Sequence, residues 1–240
     1  MKILINGYTG RMGQAIKQQA EKLGYTIIEG TKEASALAKA MADCDIAIDV
    51  SSHEATALFV ATAAKLNKPV VIGTTGHTEA EEQEIRTYEN QIPMVWSGNF
   101  SIGVNLLFYL TEQVAAVLSE DYHPEIVEMH HLRKKDAPSG TARHLIEAIL
   151  KGRNWSKDDV RYGRNGITGS RPDQEIGVHA LRGGEVVGEH TVIFAGPGER
   201  LELKHQAADR TIFAQGAMRA AEWVREQKPG IYSMREVLGV

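Results

Sequence analysis

The chain has 240 residues, 42% apolar and 24% charged, an ordinary composition for one large or two modest globular domains and unlike a disordered segment. Its 27 lysines and arginines face 31 aspartates and glutamates, a formal charge of −4, so it lacks the basic footprint of a general nucleic-acid binder. Cys44 is the single cysteine, which excludes an intrachain disulfide and a cysteine-built zinc site. No apolar run approaches the ~20 residues that a membrane helix needs, and Met1 to Gly7 reaches a glycine turn too soon for a signal peptide. These features predict a soluble cytoplasmic globule with no membrane or nucleic-acid partner.

Lys2–Ile5 is a short apolar run that stops at Asn6-Gly7, the pattern of a buried strand in a parallel sheet. Met12, Ala15, Ile16, Ala20 and Leu23 then share one helical face, and Gly24 supplies the stop. Tyr25–Glu29 reads as a second strand, completing a unit of βαβ size. Ile46–Val50, Pro69–Ile72 and Met94–Trp96 read as further strands, with helices over Ala55–Leu66 and, more exposed, Glu79–Glu89. Strands alternating with helices predict a parallel sheet covered on both faces, an α/β domain of Rossmann type over residues 1–101.

Beyond that point the grammar changes. A helix over Gly103–Leu118 leads to a strand, Glu125–His130, and to a second helix, Thr141–Leu150. Ala142, Leu145, Ile146, Ile149 and Leu150 form the apolar stripe of that helix, and Gly152 ends it. Ile176–Leu181, Val186–Phe194 and Leu201–His205 are strands joined by Gly183-Gly184 and Pro197-Gly198 turns. Leu201 and Leu203 alternate with Glu202 and Lys204, which predicts one wet face. Residues 102–210 thus read as an α+β domain with a mixed or antiparallel sheet and helices on one side. Trp155–Asp173 is polar, rich in Gly and Arg and has little periodicity, the mark of a functional or mobile loop. Ile212–Val224 is an alanine-rich helix, and residues 211–240 are expected to return to the first domain.

Gly7-Tyr8-Thr9-Gly10-Arg11-Met12-Gly13 lies between the first strand and the first helix. Thr9 stands where the common dinucleotide fingerprint has its middle glycine. The turn still aims backbone N–H groups and the positive end of a helix at a phosphate, although glycines also close ordinary strand–helix turns. Glu29 could bind a ribose 2′-hydroxyl, and Lys32 could pair with a 2′-phosphate or be a surface lysine; the balance leans to NADPH without excluding NADH. Gly73-Thr74-Thr75-Gly76 and Ser97-Gly98-Asn99-Phe100 follow successive strands, at the edge where such sheets bind ligands. The two glycines and two hydroxyls of the first loop could line a cofactor or make an ordinary turn.

The densest signal is Glu128 to Thr141. His130, His131, Arg133, Lys134 and Lys135 crowd together just ahead of a helix start, where Pro138 suits the first turn and Ser139, Gly140 and Thr141 offer hydroxyls and N–H groups. Such a corner suits an anion, a carboxylate in particular, and a histidine there could move a proton near neutral pH. A solvated loop is the alternative. No Tyr-x-x-x-Lys or H-E-x-x-H occurs, and His53, His77, His123, His144, His179, His190 and His205 show no ligand spacing, so no metal is expected. His144 and Glu147 read as a surface pair on one helical face. Asp43 and Asp45 should raise the thiol pKa of Cys44 and blunt it as a nucleophile.

Glu128-Met129-His130-His131, followed by Lys134-Lys135-Asp136-Ala137-Pro138-Ser139-Gly140-Thr141, resembles the signature of the dihydrodipicolinate (4-hydroxy-tetrahydrodipicolinate) reductase family of lysine and diaminopimelate synthesis. The likeness covers nearly the whole chain. It takes in the G-x-x-G-R-M-G turn, Gly73–Gly76, Asn99-Phe100-Ser101, Arg182-Gly183-Gly184, Val187-Gly188-Glu189-His190 and Phe213-Ala214. The resemblance implies a nicotinamide domain and a substrate domain, assembled as a homotetramer through the sheets of the second. It implies that His130 is the proton donor or acceptor, Lys134 a second catalytic donor, and that His131, Ser139, Gly140 and Thr141 bind the carboxylates of a dicarboxylate substrate. Gly7, Tyr8, Thr9, Gly10, Arg11 and Met12, then Gly73, Thr74 and Thr75, then Ser97, Gly98, Asn99 and Phe100 match the cofactor loops. Long members carry an acid, often followed by arginine, near Lys32, and some have arginine where this chain has Ser52; NADPH and NADH therefore both stay open.

The implied reaction is hydride transfer from the nicotinamide to a conjugated imine formed by loss of water. His130, or a water that it orients, then protonates the ring while Lys134 and the helix end hold the anion, and closure over the site is expected. Two rivals stand beside this reading. Another two-domain nicotinamide enzyme, such as an aspartate-semialdehyde or homoserine dehydrogenase, is opposed by the cationic string, and the former also by the lack of a plausible catalytic cysteine. A non-catalytic nucleotide sensor would not need His130 and Lys134 beside an anion site.

Overall fold

The computed structural model describes residues 1–31 and 33–240. The first elements are β1 (Lys2–Asn6), α1 (Arg11–Lys22), β2 (Thr26–Glu29), α2 (Ala34–Ala42), β3 (Ile46–Asp49), α3 (His53–Lys65), β4 (Val70–Ile72), α4 (Glu79–Arg86) and β5 (Pro93–Trp96). Next come α5 (Ile102–Val117), β6 (His123–His130), α6 (Gly140–Arg153), β7 (Val160–Tyr162), β8 (Ile176–Arg182), β9 (Gly188–Gly196) and β10 (Glu199–Ala207). The chain continues with α7 (Thr211–Val224), β11 (Gly230–Tyr232) and α8 (Met234–Leu238). These elements form two compact units, Met1–Ile102 with Arg210–Val240, and Gly103–Asp209.

The first unit holds a parallel sheet in the order β2-β1-β3-β4-β5-β11. Its strands read as unbroken apolar runs because both faces are covered. Ile3, Ile5, Ile46, Ile48, Val71 and Val95 pack with α1, α7 and α8, whereas Leu4, Ala47, Val70, Ile72 and Met94 pack with α2, α3 and α4. The strand order reverses between β1 and β3, and open α/β sheets bind ligands outside the strand ends at such a reversal. This is a Rossmann-like layout.

The second unit has a mixed sheet, β10-β9-β6-β8-β7, in which β6 runs antiparallel to β9 and parallel to β8. Along β6 the side chains alternate, so that Pro124, Ile126, Glu128 and His130 are buried. Leu107 and Ala115 of α5 and Leu145, Ile146 and Ile149 of α6 pack with Ile126, Val178, Val192 and Phe194 from the sheet.

Several local expectations need correction. Leu23 is not part of the buried face of α1; it caps the helix and is 45% exposed. Gly152 does not end α6, which runs on to Arg153 and is capped by Asn154 in the left-handed region. A Cβ at Gly152 would stand 2.6 Å from the Glu112 carbonyl oxygen, so the glycine lets α5 and α6 approach. Trp155–Asp173 is not without structure: it contains a short 3-10 turn and β7, and Arg164 and Arg171 tie it to Glu125. Leu201 is not on a dry face, being 40% exposed on the edge strand, while Leu203 packs against the core. Helix α2, strand β11 and helix α8 were not foreseen. In α2 only Leu37 and Met41 are buried, too thin a stripe to stand out among alanines.

Candidate active site

In the first unit, the β1–α1 turn shows why glycine is required. Gly7 has φ +82°, and a Cβ there would lie 2.3 Å from the Val50 carbonyl oxygen. At Gly13 a Cβ would meet the Gly7 oxygen at 2.4 Å, so two glycines let helix and turn close on each other. Gly10 caps α1 without a side chain, and no acid occupies the first turn. The N–H groups of Arg11, Met12 and Gly13 therefore have no intrahelical acceptor and point toward a potential anion. The Gln14 amide donates to the Tyr8 carbonyl at 2.8 Å, and Lys17 Nζ lies 2.7 Å from the Tyr8 hydroxyl, which fixes the turn.

Gly7, Tyr8 and Thr9 line a cleft of about 390 Å³ together with Glu29, Gly30, Ser51, Ser52 and Glu54. The cleft opens at the β1/β3 reversal. Its glycine turn and uncapped helix end fit a dinucleotide. Glu29 and Thr31 are in the wall, whereas Lys32, a candidate for a 2′-phosphate contact, lies outside the described residues.

Gly73–Thr75 and Ser97–Phe100 are not in that wall, but they meet each other: a Cβ on Gly98 would be 3.4 Å from Thr75 Cγ2. Thr75 is exposed and Thr74 buried. The Thr74 hydroxyl donates to Asp49 at 2.8 Å rather than facing outward. The Phe100 ring belongs to the core and abuts Gly73, where a Cβ would come 3.0 Å from it. Asn99 Oδ1 accepts the Ser101 N–H at 2.9 Å, and the Ser97 hydroxyl donates to the Asn99 carbonyl at 2.8 Å.

In the second unit the cationic string is organised by one carboxylate. Glu128 is fully buried. It accepts from His130 Nδ1 at 2.5 Å, from both Arg182 terminal nitrogens at 2.9 Å, and from the Ser139 N–H at 3.1 Å. Burial pushes its carboxyl up, but the hydrogen bonds from His130 and Arg182 outweigh that and hold it down at about 2. An acceptor-only carboxylate at Nδ1 places the His130 proton there and leaves Nε2 for other work. Gly188 makes room on that side, since a Cβ would stand 3.1 Å from Nε2.

Arg182 also donates to the Asp136 carbonyl at 2.7 Å, and the His131 and Leu132 N–H groups donate to the Val186 and Gly184 carbonyls. The string is thereby pinned from both ends. Lys134 Nζ sits 2.9 Å from Asp136 Oδ1, and that ammonium holds the Asp136 carboxyl below its usual range. Ser139 caps α6 by accepting the Ala142 N–H at 3.1 Å, so Gly140 and Thr141 form the first turn of the helix. His131 keeps a buried Nδ1 with no hydrogen-bond partner.

The histidine spacing in the sequence concealed a cluster. His190 stacks edge-on against His130 with ring centroids 5.1 Å apart, and its Nε2 lies 3.0 Å from the Ser139 hydroxyl. Burial, then repulsion from His130, drives the His190 imidazole down to about 3, so it is neutral. Ligand atoms of Glu128, His130 and His190 fall within 4.8 Å of one another. Both oxygens of Glu128 are already bound by Arg182, a cation that a metal ion would have to displace. Glu128, Arg182 and His190 were not singled out from sequence as site residues. Glu128 could have been, because residues two apart on a strand share a face.

Residues 1–100 match the family model described as Dihydrodipicolinate reductase, N-terminus, and residues 103–238 the one described as Dihydrodipicolinate reductase, C-terminus. The chain is 51% identical over 244 residues to the 4-hydroxy-tetrahydrodipicolinate reductase of Akkermansia muciniphila, spanning 100% of this chain and 98% of that protein. It is 44% identical over 264 residues to the enzyme of the same name from Magnetococcus marinus, again across 100% and 98%. Among solved structures, a dipicolinate-bound dihydrodipicolinate reductase from Paenisporosarcina sp. TG-14 shares the fold with TM-score 0.78 and 22% identity over 97% of each chain. With both halves matched in order and relatives of this identity aligned end to end, the chain belongs to the dihydrodipicolinate reductase family.

Proposed function

We propose that the protein reduces 4-hydroxy-tetrahydrodipicolinate to tetrahydrodipicolinate with a pyridine nucleotide, a step of lysine and diaminopimelate synthesis. Full-length relatives bear that enzyme's name. The observation that carries the chemistry is the buried Glu128–His130 pair beside the start of α6. The bound pyridine nucleotide supplies the hydride. Gly7 to Met12 receive its pyrophosphate at the α1 terminus, and Gly73–Thr75 and Ser97–Phe100 complete its site. Glu29 faces the adenosine ribose, and NADH and NADPH both serve.

On the second unit, the N–H groups of Gly140 and Thr141, with Ser139 and His131, hold the two substrate carboxylates at the helix start. Lys134 adds a charge-assisted donor to the bound anion. His130 delivers a proton from Nε2 to the reduced ring, while ionised Glu128 steadies the imidazolium form. No metal takes part. The protein works in the cytoplasm as a homotetramer, which the edge strand β10 and the exposed Leu181 and Leu201 of its sheet support.

The test follows nicotinamide absorbance with substrate made in situ by the preceding synthase. Oxidation of NADPH or NADH that Lys134→Ala abolishes, with nucleotide binding retained, is the expected result. Equal loss of turnover and nucleotide binding in Lys134→Ala removes the role given to Lys134. Nucleotide binding without oxidation by the wild-type protein turns the reading toward a sensor.

A further inference from the structure

Asp49 is a fully buried carboxylate at the end of β3 that the proposed chemistry does not use. No salt bridge reaches it among the described residues. Its Oδ1 accepts from Asn6 Nδ2 at 2.8 Å and the Ser51 hydroxyl at 2.5 Å, and its Oδ2 from the hydroxyls of Thr56 at 2.6 Å and Thr74 at 2.8 Å. Each oxygen thus receives two donors, the full capacity of a carboxylate.

The donors come from four places. Asn6 ends β1 immediately before the Gly7 turn, Ser51 lies between β3 and α3, Thr56 is in α3, and Thr74 is in the loop after β4. A second layer locks them: Asn6 Nδ2 also reaches the Ser51 hydroxyl at 3.0 Å, and the Ser51 N–H donates to the Thr74 hydroxyl at 3.0 Å. Thr74 has one hydroxyl proton, spent on Asp49, and a lone pair, spent on Ser51. Its hydroxyl is therefore a strut, so Thr74 serves the nucleotide site by shaping its loop. Asn6 and Ser51 line the 390 Å³ cleft.

We infer that Asp49 is the positioning residue for pyridine-nucleotide binding: one buried carboxylate sets the Gly7 turn, the Ser51-Ser52 segment and the Gly73–Gly76 loop in mutual register. A loop built on backbone glycines has little side-chain packing to fix it, and this anchor supplies the missing constraint. The inference rests on the nucleotide reading of the first unit.

The test is direct titration of NADH and NADPH by fluorescence, with steady-state KM values for nucleotide and ring substrate. In Asp49→Asn an amide faces donors on one side, and nucleotide Kd and KM are expected to rise about tenfold or more, while the ring-substrate KM moves less than about twofold. Thr56→Val serves if Asp49→Asn does not fold. Thr56 has no exposed surface and cannot touch a ligand, so a rise of about threefold in nucleotide Kd there must pass through the groups that its hydroxyl holds, Asp49 at 2.6 Å and, more weakly, the Ser52 carbonyl at 3.4 Å. A lowered melting temperature with unchanged nucleotide Kd in both variants overturns the inference and leaves Asp49 purely structural. Wild-type protein that binds neither nucleotide overturns the nucleotide reading itself, an outcome visible before any variant is made.

Discussion

Asp49 and Glu128 are both fully buried carboxylates close to the carboxyl end of a strand, one in each unit, yet their surroundings differ in kind. Asp49 is held by three hydroxyls and one amide, all short side chains on neighbouring segments. Glu128 is held by an arginine, a histidine and a backbone N–H. Neutral donors fix position and offer no partner for proton exchange. A cation and an imidazole do otherwise: Arg182 balances Glu128 while His130 is neutral, and Glu128 remains to stabilise His130 when it is charged. The first arrangement suits a scaffold for a bound cofactor, and the second a centre where a proton moves.

The sharpest way to test this contrast is at His130. His130→Ala is expected to lower kcat by about 10²–10⁴-fold, the usual worth of a positioned acid–base group, with nucleotide Kd changed less than twofold. Next in size, Arg182→Met leaves Glu128 buried without its cation and should cost about 3 kcal/mol in urea unfolding. Thr56→Val removes one of four neutral donors from Asp49 and should cost only about 1–2 kcal/mol. Equal losses in the two variants would erase the distinction between the carboxylates.

Acid should also separate the units. Glu128 and Glu125 are both held at about 2 against a usual 4.5, and His190 at about 3 against 6.5. For Glu125 too, burial pushes upward and is outweighed by hydrogen bonds from Arg164, Arg171 and His179. Every one of these groups is depressed, so the unfolded chain binds more protons and stability falls as pH drops. The loss starts near pH 6.5 through His190 and continues below 4.5 through the two glutamates. Urea midpoints read from Trp155 in the second unit should decline between pH 7 and pH 4 more than those read from Trp96 and Trp223 in the first, using single-tryptophan variants. A midpoint in the second unit that stays constant over that range would falsify the linkage. The smallest effect is expected for Gly188→Ala: His130 must give by a few tenths of an ångström, and kcat should fall only a few-fold with stability altered by less than about 1 kcal/mol.

Strands β1 to β5 of the first unit were readable because each has its own apolar run, and the G-x-x-G-x-x-G turn announced itself at β1–α1. Helix α2 escaped notice because its cap is the Glu33 side chain, which accepts the Ser35 and Ala36 N–H groups, and a glutamate is not a usual cap. The His130–Ser139 string was legible as local sequence, but its organiser needed partners from far along the chain. Arg182 lies 54 positions from Glu128, and His190 lies 51 from Ser139. No spacing rule reaches that far, since only the β6–β8 and β6–β9 pairings bring them together. Cys44 was read with the right direction and the wrong leading cause. Its thiol is pushed up to about 11 chiefly by burial, and Asp45 is a lesser contributor. Trp155–Asp173 hid its order because arginines bound to Glu125, rather than an apolar period, hold it.

The return of α7 and β11 to the first unit has a consequence for synthesis. Ala214, Ala217, Met218 and Ala221 of α7 cover the sheet face that bears Ile3 and Ile5, beside Ile16 of α1, and β11 pairs with the edge of β5. All of the second unit is translated between these partners. On the ribosome, the unit begun first is therefore the one completed second, in reverse of the usual order in which domains fold as they emerge. Until α7 arrives, an apolar sheet face and the backbone edge of β5 stand uncovered, the kind of surface that pairs with other nascent chains. Yield of folded protein should therefore depend on translation rate and on holding chaperones more than the stability of the finished molecule would suggest.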